Sequence, residues 1–356
     1  MKILVQIKAM TTVAILVGAG SLSLFAQGNG FNKPGNILIS DQYNNRVIEV
    51  NPENHKIVWH FGDQSSVAGP HSVVGVNDAQ RVGPFTLIAG TGVPPGAEPT
   101  CPSGCADNRV MLVDPGGQIV WQYGKAGVTG SGPDELNTPV QNTWLPNLHV
   151  LITDQVNERV IEVTLGKKIV WQYGQTGVSG DGPDQLNNPN SAELLNNGHI
   201  LIADENNNRV IEVDRAKNVV WSYGCSTCTQ LSGAAFASRL SSGNTLITDS
   251  NNNRILEVDA SGNVVSTYYT NTRAGSISSP LPTRAVRLRN GNTLISDQFN
   301  QQVIEIDENQ NIVFSQGTIA VPGNTFDLLN GPYDAKVVGD YTGLTPPFGD
   351  DGHRDH

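Results

Sequence analysis

GNILISDQYNNRVIEV (35–50) returns four times with its phrasing intact, as NLHVLITDQVNERVIEV (147–163), NGHILIADENNNRVIEV (197–213), SGNTLITDSNNNRILEV (242–258) and GNTLISDQFNQQVIEI (291–306). A sixth copy is split into PFTLIAG (84–90) and DNRVMLVD (107–114) by a Pro- and Gly-rich insertion. Four copies run on into an aromatic finish, IVWHFG (57–62), IVWQYG (119–124 and 169–174) and VVWSYG (219–224). A repeat of this length marks a ring or solenoid of identical supersecondary units, none of which buries its apolar face alone.

The fourth unit shows what each repeat is. Pro189 opens NSAELL, NNG turns the chain, and HILIAD (199–204) runs back. ENNN turns it again before RVIEVD (209–214), and RAKN turns it into VVWSYG. Short β-branched runs between Asn, Gly and Asp turns predict a four-stranded antiparallel meander, with strands named A to D. Strands B and C are apolar at nearly every position, so both faces of each unit are buried against neighbours. The mature chain shows no helical periodicity.

Inner strands are expected after Pro70, Pro139, Pro189, Ala234, Pro282 and Pro332. The first B strand has no A strand before it, and YDAKVV (333–338) has no B strand after it. The expectation is an all-β, six-bladed β-propeller whose C-terminal strand completes the N-terminal blade. Its blades fall at 35–63 plus 332–338, 70–124, 139–174, 189–224, 234–269 and 282–317, within a single domain over 27–345. Residues 346–356 read as a disordered tail.

The blades resemble those of NHL-repeat propellers. The likeness rests on D-x-x-N-x-R at Asp41/Asn44/Arg46, Asp154/Asn157/Arg159, Asp204/Asn207/Arg209 and Asp249/Asn252/Arg254, and on the linkers 123–139 and 173–189. Gly90 breaks the Asp position in blade 2, and Gln302 replaces Arg in blade 6. The resemblance covers most of 35–338 and implies the fold. It leaves function open, because such families mix enzymes with binding modules. The GNTLI phrases are also similar to arylsulfotransferase-like propellers, and the inner-strand oxygens to gluconolactonase-like ones.

Residues 1–26 read as a secretory signal: Lys2 and Lys8, an apolar stretch, then Ala26. Removing it leaves twenty basic residues against 33 acidic ones, a formal charge of about −13. That balance excludes nucleic acid as a partner, and no second apolar run is long enough to span a bilayer. The protein is expected to be exported, periplasmic or extracellular.

Conserved positions within the repeat are architecture: the Asp/Arg pairs bracket the B–C turn, and the four Trp pack between blades. Function is sought where the repeats differ. Counting from each Pro (Ala234 in blade 5), position +2 reads Ser72, Gln141, Ser191, Phe236, Arg284 and Asp334, and position +4 reads Val74, Thr143, Glu193, Ser238, Val286 and Lys336. These line the channel. His71, Gln141, Asn190, Glu193, Arg284, Asp334 and Lys336 are therefore the candidate ligand-binding residues. Asn142, Asn190, Glu193 and Asp334 carry the oxygen chemistry of a calcium site.

Two functional classes stay open. One is a binding or scaffold module for a protein, peptide or glycan, working through the linker face and channel mouth. The other is a metal-assisted hydrolase or lyase at the channel, with calcium as its ion and no other cofactor implied. Cys101/Cys105 and Cys225/Cys228 are close enough in sequence to form local loops, and export permits disulfides. Mass spectrometry of the unreduced mature protein should show Cys101–Cys105 and Cys225–Cys228; any link between the two pairs would overturn the local pairing.

Overall fold

The computed structural model describes residues 30–347 apart from 326, so the signal-like segment and the tail beyond Pro347 lie outside it. Six four-stranded antiparallel sheets form a ring. The inner strands, A, are Val76–Val82, Pro139–Trp144, Pro189–Leu194, Ala234–Arg239, Pro282–Arg287 and Pro332–Val337. The last pairs with Ile37–Asp41, with Ala335 opposite Ile39, so blade 1 is closed by the C-terminal strand. Among the described residues the helical segments are single 3₁₀ turns, and no helix is long and apolar enough to cross a membrane.

Core clusters sit between consecutive blades. Leu151, Tyr173, Ala192, Ile202 and Ile211 join blades 3 and 4, and Leu201, Ala203, Ala237 and Ile247 join blades 4 and 5. This is why strands B and C are apolar on both faces. The tryptophans work at the rim of the same contacts. Trp59, Trp121, Trp171 and Trp221 donate their indole N–H to carbonyls of the next blade's C–D turn, at Pro115, Leu165, Arg215 and Ala260.

Bulges recur in register. In every blade the C–D ladder skips one residue of strand D, for example Val170 between Ile169 and Trp171, and Val120, Val220, Val265 and Val313 at the matching places. These valines are exposed. A second bulge in every A–B ladder leaves unpaired the residue after the first of strand A: Asn77, Val140, Asn190, Ala235, Thr283 and Tyr333. Bulges of this kind re-aim a side chain, and here Asn77, Asn190 and Tyr333 meet partners at the channel's linker-side mouth.

The Asp/Arg pair is a clamp. In blade 3, Asp154 Oδ2 takes Arg159 Nε at 2.7 Å, and Oδ1 accepts the linker amide of Asn137 at 2.8 Å. The same arrangement holds Asp41 with Arg46 and Asn330, Asp204 with Arg209 and Asn187, and Asp249 with Arg254 and Ser232. The two blades that break the motif rebuild the clamp from elsewhere. In blade 2, Asp107 at the end of the insertion pairs with Arg109 and accepts the amide of Val74 at 2.8 Å. In blade 6, linker residue Arg273 pairs with Asp297 and donates to Gln302 Oε1 at 2.9 Å.

Blade 2 differs from expectation in one respect. Its inner strand is Val76–Val82, six residues beyond Pro70. Val76 takes the place that Pro holds in four other blades, opposite Gly90. Pro70 and His71 instead stay at the surface, and residues 72–75 are buried beneath the insertion, with Val74 packed against Val93 and Cys101. Both disulfides are local, Cys101–Cys105 and Cys225–Cys228, with Cα atoms 5.6 and 5.0 Å apart.

The substituted clamp makes a prediction. A Cβ on Gly90 would lie 2.5 Å from the Asp107 carboxyl carbon, whereas one on Gly166 would meet nothing closer than 3.6 Å. Gly90→Ala should therefore cost about 2 kcal/mol by overpacking, while Gly166→Ala stays near neutral. Equal denaturant midpoints for the two variants would remove this account of the insertion.

Candidate functional site

The six inner strands bring position +2 of every blade to one level of the axis. With the corrected register, that ring is Asp78, Gln141, Ser191, Phe236, Arg284 and Asp334, all fully buried. Arg284 reaches from blade 6 across the axis. Its Nη2 donates to Asp78 Oδ1 at 3.0 Å, its Nε lies 2.9 Å from Asp334 Oδ1, and its guanidinium sits 4.2 Å above the centre of the Phe236 ring. Lys336, two residues beyond Asp334 on the same face of the strand, donates to Asp78 Oδ1 and Asp334 Oδ2, both at 2.6 Å, and to the Ala79 carbonyl at 3.1 Å. Asn142 faces back toward blade 2 and donates to Asp78 Oδ2 at 2.9 Å. That contact explains why Asn stands where other blades carry Ala or another small residue.

The result is a buried knot of two cations and two carboxylates. Its electrostatics follow from burial. Loss of water pushes the Asp78 carboxyl up to about 6; Lys336 pulls it back, Asp334 pushes it further, and Arg284 pulls it down. Burial also opposes the Arg284 charge, but Asp334 and Asp78 outweigh it and hold its pKa above the ordinary value. Buried pairs of this kind contribute little net stability, and breaking one leaves an uncompensated charge.

Above and below the knot the axis is also occupied. On the linker side, Tyr333 spans from blade 1 to blade 4, where Asn190 Nδ2 donates to its hydroxyl at 2.9 Å and to Glu205 Oε2 at 2.7 Å. Gln298 and Asn77 flank Gln42 in the same mouth, with hydrogen bonds of 2.7 and 2.8 Å. Burial pushes both the Glu205 carboxyl and the Tyr333 hydroxyl above their usual pKa. On the far side, Gln141 Nε2 donates to Glu193 Oε1 at 2.7 Å, and Glu193 is buried.

The structure therefore brings Gln141, Asn190, Glu193, Arg284, Asp334 and Lys336 to the axis and excludes His71. That side chain is exposed on the 70–75 segment, its Nδ1 3.4 Å from the Gly117 carbonyl. Asp78 takes the central place that sequence reasoning assigned to Ser72. The missed signal was spacing. In blades 3 to 6, the first residue of strand A pairs with the Asp fifteen positions on: Pro139 with Asp154, Pro189 with Asp204, Ala234 with Asp249 and Pro282 with Asp297. Counting back fifteen from Gly90 gives Gly75, one residue from the observed start at Val76, which pairs with Gly90 fourteen positions on.

Calcium is a poor fit to these residues. Asn190 is engaged at the linker mouth, Asn142 and Asp334 at the knot, and Glu193 at the far side, so the four proposed oxygens do not converge. Among the described residues, no three His, Cys, Asp or Glu side chains are arranged to hold a metal ion. His149 and His199 pair instead with Glu162 and Glu212 of their own blades.

No protein-family model matches the chain, and no curated protein matches its sequence. Solved structures do match. A Bacteroides caccae protein of unknown function is 15% identical over 79% of this chain and 93% of that one, with a TM-score of 0.56. A chain of the nidogen/laminin complex is 10% identical over 79% and 92%, with a TM-score of 0.52. A streptogramin B lyase is 13% identical over 82% and 84%, with a TM-score of 0.50. At these identities the likeness establishes the six-bladed propeller fold.

The knot is testable by pH. A carboxyl whose folded pKa lies above its unfolded value holds its proton more tightly when folded, so the stability it contributes is lost as pH rises from about 4 to about 6. Asp78→Asn removes that titration. The difference in Tm between Asp78→Asn and the wild type should shift in the variant's favour by a few degrees between about pH 4.5 and 7.5. A constant difference would mean that Asp78 is ionised throughout.

Proposed function

We propose that this propeller is an exported binding module that engages a protein, peptide or glycan through its linker face, with the axis acting as structural filling. The observation that carries this is the packing of the axis. The side chains at positions +2 and +4 are buried, and Asp78, Gln141, Glu193, Arg284, Asp334 and Lys336 among them are paired across blades, so the protein's own polar groups occupy the axis. A cavity of about 800 Å³ opens instead at the outer edge of blades 5 and 6, around Tyr268, Arg273 and Ile312.

The linker face has the properties that the axis lacks. Five of the six D–A linkers expose an apolar side chain: Val67, Val128, Val178, Ile277 and Val321. The sixth linker carries the Cys225–Cys228 loop. The insertion of blade 2 stands on the same face, pinned by Cys101–Cys105 and tied to blade 1 through Asn330 and Glu98 at 3.1 Å. Rigid loops presenting separated apolar anchors on a polar surface suit recognition of another macromolecule. The signal-like composition of 1–26 supports an encounter outside the cytoplasm.

The test is chemical cross-linking of the purified protein to the envelope and culture-medium fractions of its own organism. Val67→Asp/Val128→Asp/Val178→Asp should keep the wild-type Tm and lose the cross-linked species; if the species persists, the linker face is not the binding surface. The enzyme reading is checked separately. Calcium at about a hundred times a micromolar-range Kd would raise stability by about 2.7 kcal/mol if the folded protein held it. An unchanged Tm is expected, and a rise of several degrees would return the axis to consideration as a metal site.

A further inference from the structure

After its last strand the chain does not leave the ring. Residues 338–340 turn beside blade 1, where Val338 donates to Asn36 O at 2.8 Å and the Arg289 amide donates to Asp340 at 2.8 Å. Tyr341 then reaches blade 2, its hydroxyl donating to the Arg81 carbonyl at 3.1 Å. Gly343 passes over Ser238 and Leu240 of blade 5, and Thr345 enters the channel between blades 2 and 4. The strap thus crosses the mouth opposite the linkers.

Each polar group of Thr345 is matched there. Its amide donates to Glu193 Oε2 at 2.9 Å, and its hydroxyl to the same oxygen at 2.6 Å. The hydroxyl accepts the Leu194 amide at 3.0 Å, and the carbonyl accepts Gln80 Nε2 at 3.2 Å. Gln80 is itself fixed, because its Oε1 accepts the Trp144 amide at 2.7 Å. Glu193 is held from behind by Gln141, and Thr345 is 2% exposed. These groups come from three different blades, and the repeat does not require them: the positions equivalent to Gln80 and Glu193 are Thr143, Ser238, Val286 and Lys336 elsewhere. By contrast the flanking residues 341–344 are only half-buried.

We infer that Glu193, Gln80 and the Leu194 amide form a recognition site for a threonine-bearing peptide, occupied by the chain's own Gly343–Pro347 segment as a displaceable ligand. The site lies at the opposite end of the channel from the linker face and stands independently of the function proposed for that face. Its selectivity resides in the hydroxyl. A valine of the same shape leaves the buried Glu193 oxygen without one donor and the Leu194 amide without its acceptor, which weakens docking by about tenfold or more.

The experiment uses the full-length protein. In the wild type, hydrogen exchange at residues 341–347 should proceed by local opening, faster than at the blade strands; exchange only with global unfolding would make the strap part of the fold and overturn the inference. In Thr345→Val, exchange over 341–347 should rise by about tenfold or more while that of the strands is unchanged, and Thr345→Ser should restore protection. A synthetic peptide, acetyl-GLTPP-amide, should then bind Thr345→Val at least about tenfold more tightly than acetyl-GLVPP-amide does, and more tightly than it binds the wild type, whose own strap competes. Equal affinity for the two peptides would overturn the site. If Thr345→Val does not fold, the wild-type exchange experiment still decides between ligand and wall.

Discussion

The ring depends on a carboxylate that joins three pieces of backbone. In each blade an Asp at the B–C turn takes an arginine side chain on one oxygen, and in five of the six it receives a linker amide on the other. The arginine spends its remaining donors on linker carbonyls: Arg46 on Asn324 and Leu328, Arg109 on Gly69 and Ser72, Arg209 on Asp181 and Gln185. Long, Gly-rich linkers would otherwise cost substantial chain entropy and leave strand A free to slide. Because the clamp fixes where each linker re-enters the ring, it sets the level at which every inner strand meets the axis. The placement of Asp78, Arg284 and Asp334 on a common ring follows from that.

Most of the architecture was legible because it is written six times. Blade number, strand order and closure by 332–337 all follow from counting turns, and the tryptophans sit at the inter-blade contacts expected of them. The site was legible only where the repeat holds. Asp78 was missed because the 70–75 segment imitates the start of an inner strand, with a proline, a small polar residue and two valines, while the actual strand begins with Val76 after a sharp turn at Gly75. Thr345 was missed for a different reason. It follows the final repeat, so no sister sequence shows what its position should be, and its burial depends on Glu193 and Gln80, more than a hundred residues away in sequence.

The same contrast organises function. Side chains that differ between blades were expected to line a working channel, and they do gather at the axis, but they neutralise one another there. Arg284, Lys336, Asp78 and Asp334 fill the space with matched charge, and Tyr333 and Thr345 close it from either side. A low-dielectric interior strengthens such networks and also makes an unmatched group costly, so the variation at the axis reflects one mutually dependent set of side chains. Variation on the linker face carries no such constraint, since Val128, Val178 and Ile277 project into solvent.

The displaced valine in each outer strand has a consequence for the perimeter. Six strands D face outward, each with a row of main-chain groups that another strand could join, on a protein whose rim is rich in valine. Such edges invite open-ended stacking of chains. The bulge at Val120, Val170, Val220, Val265 and Val313 breaks the even spacing that an incoming strand would need and adds local twist. The ring thus carries its own protection against polymerising through its rim, repeated once per blade, and in five of the six outer strands the exposed valine is the residue that spoils the template.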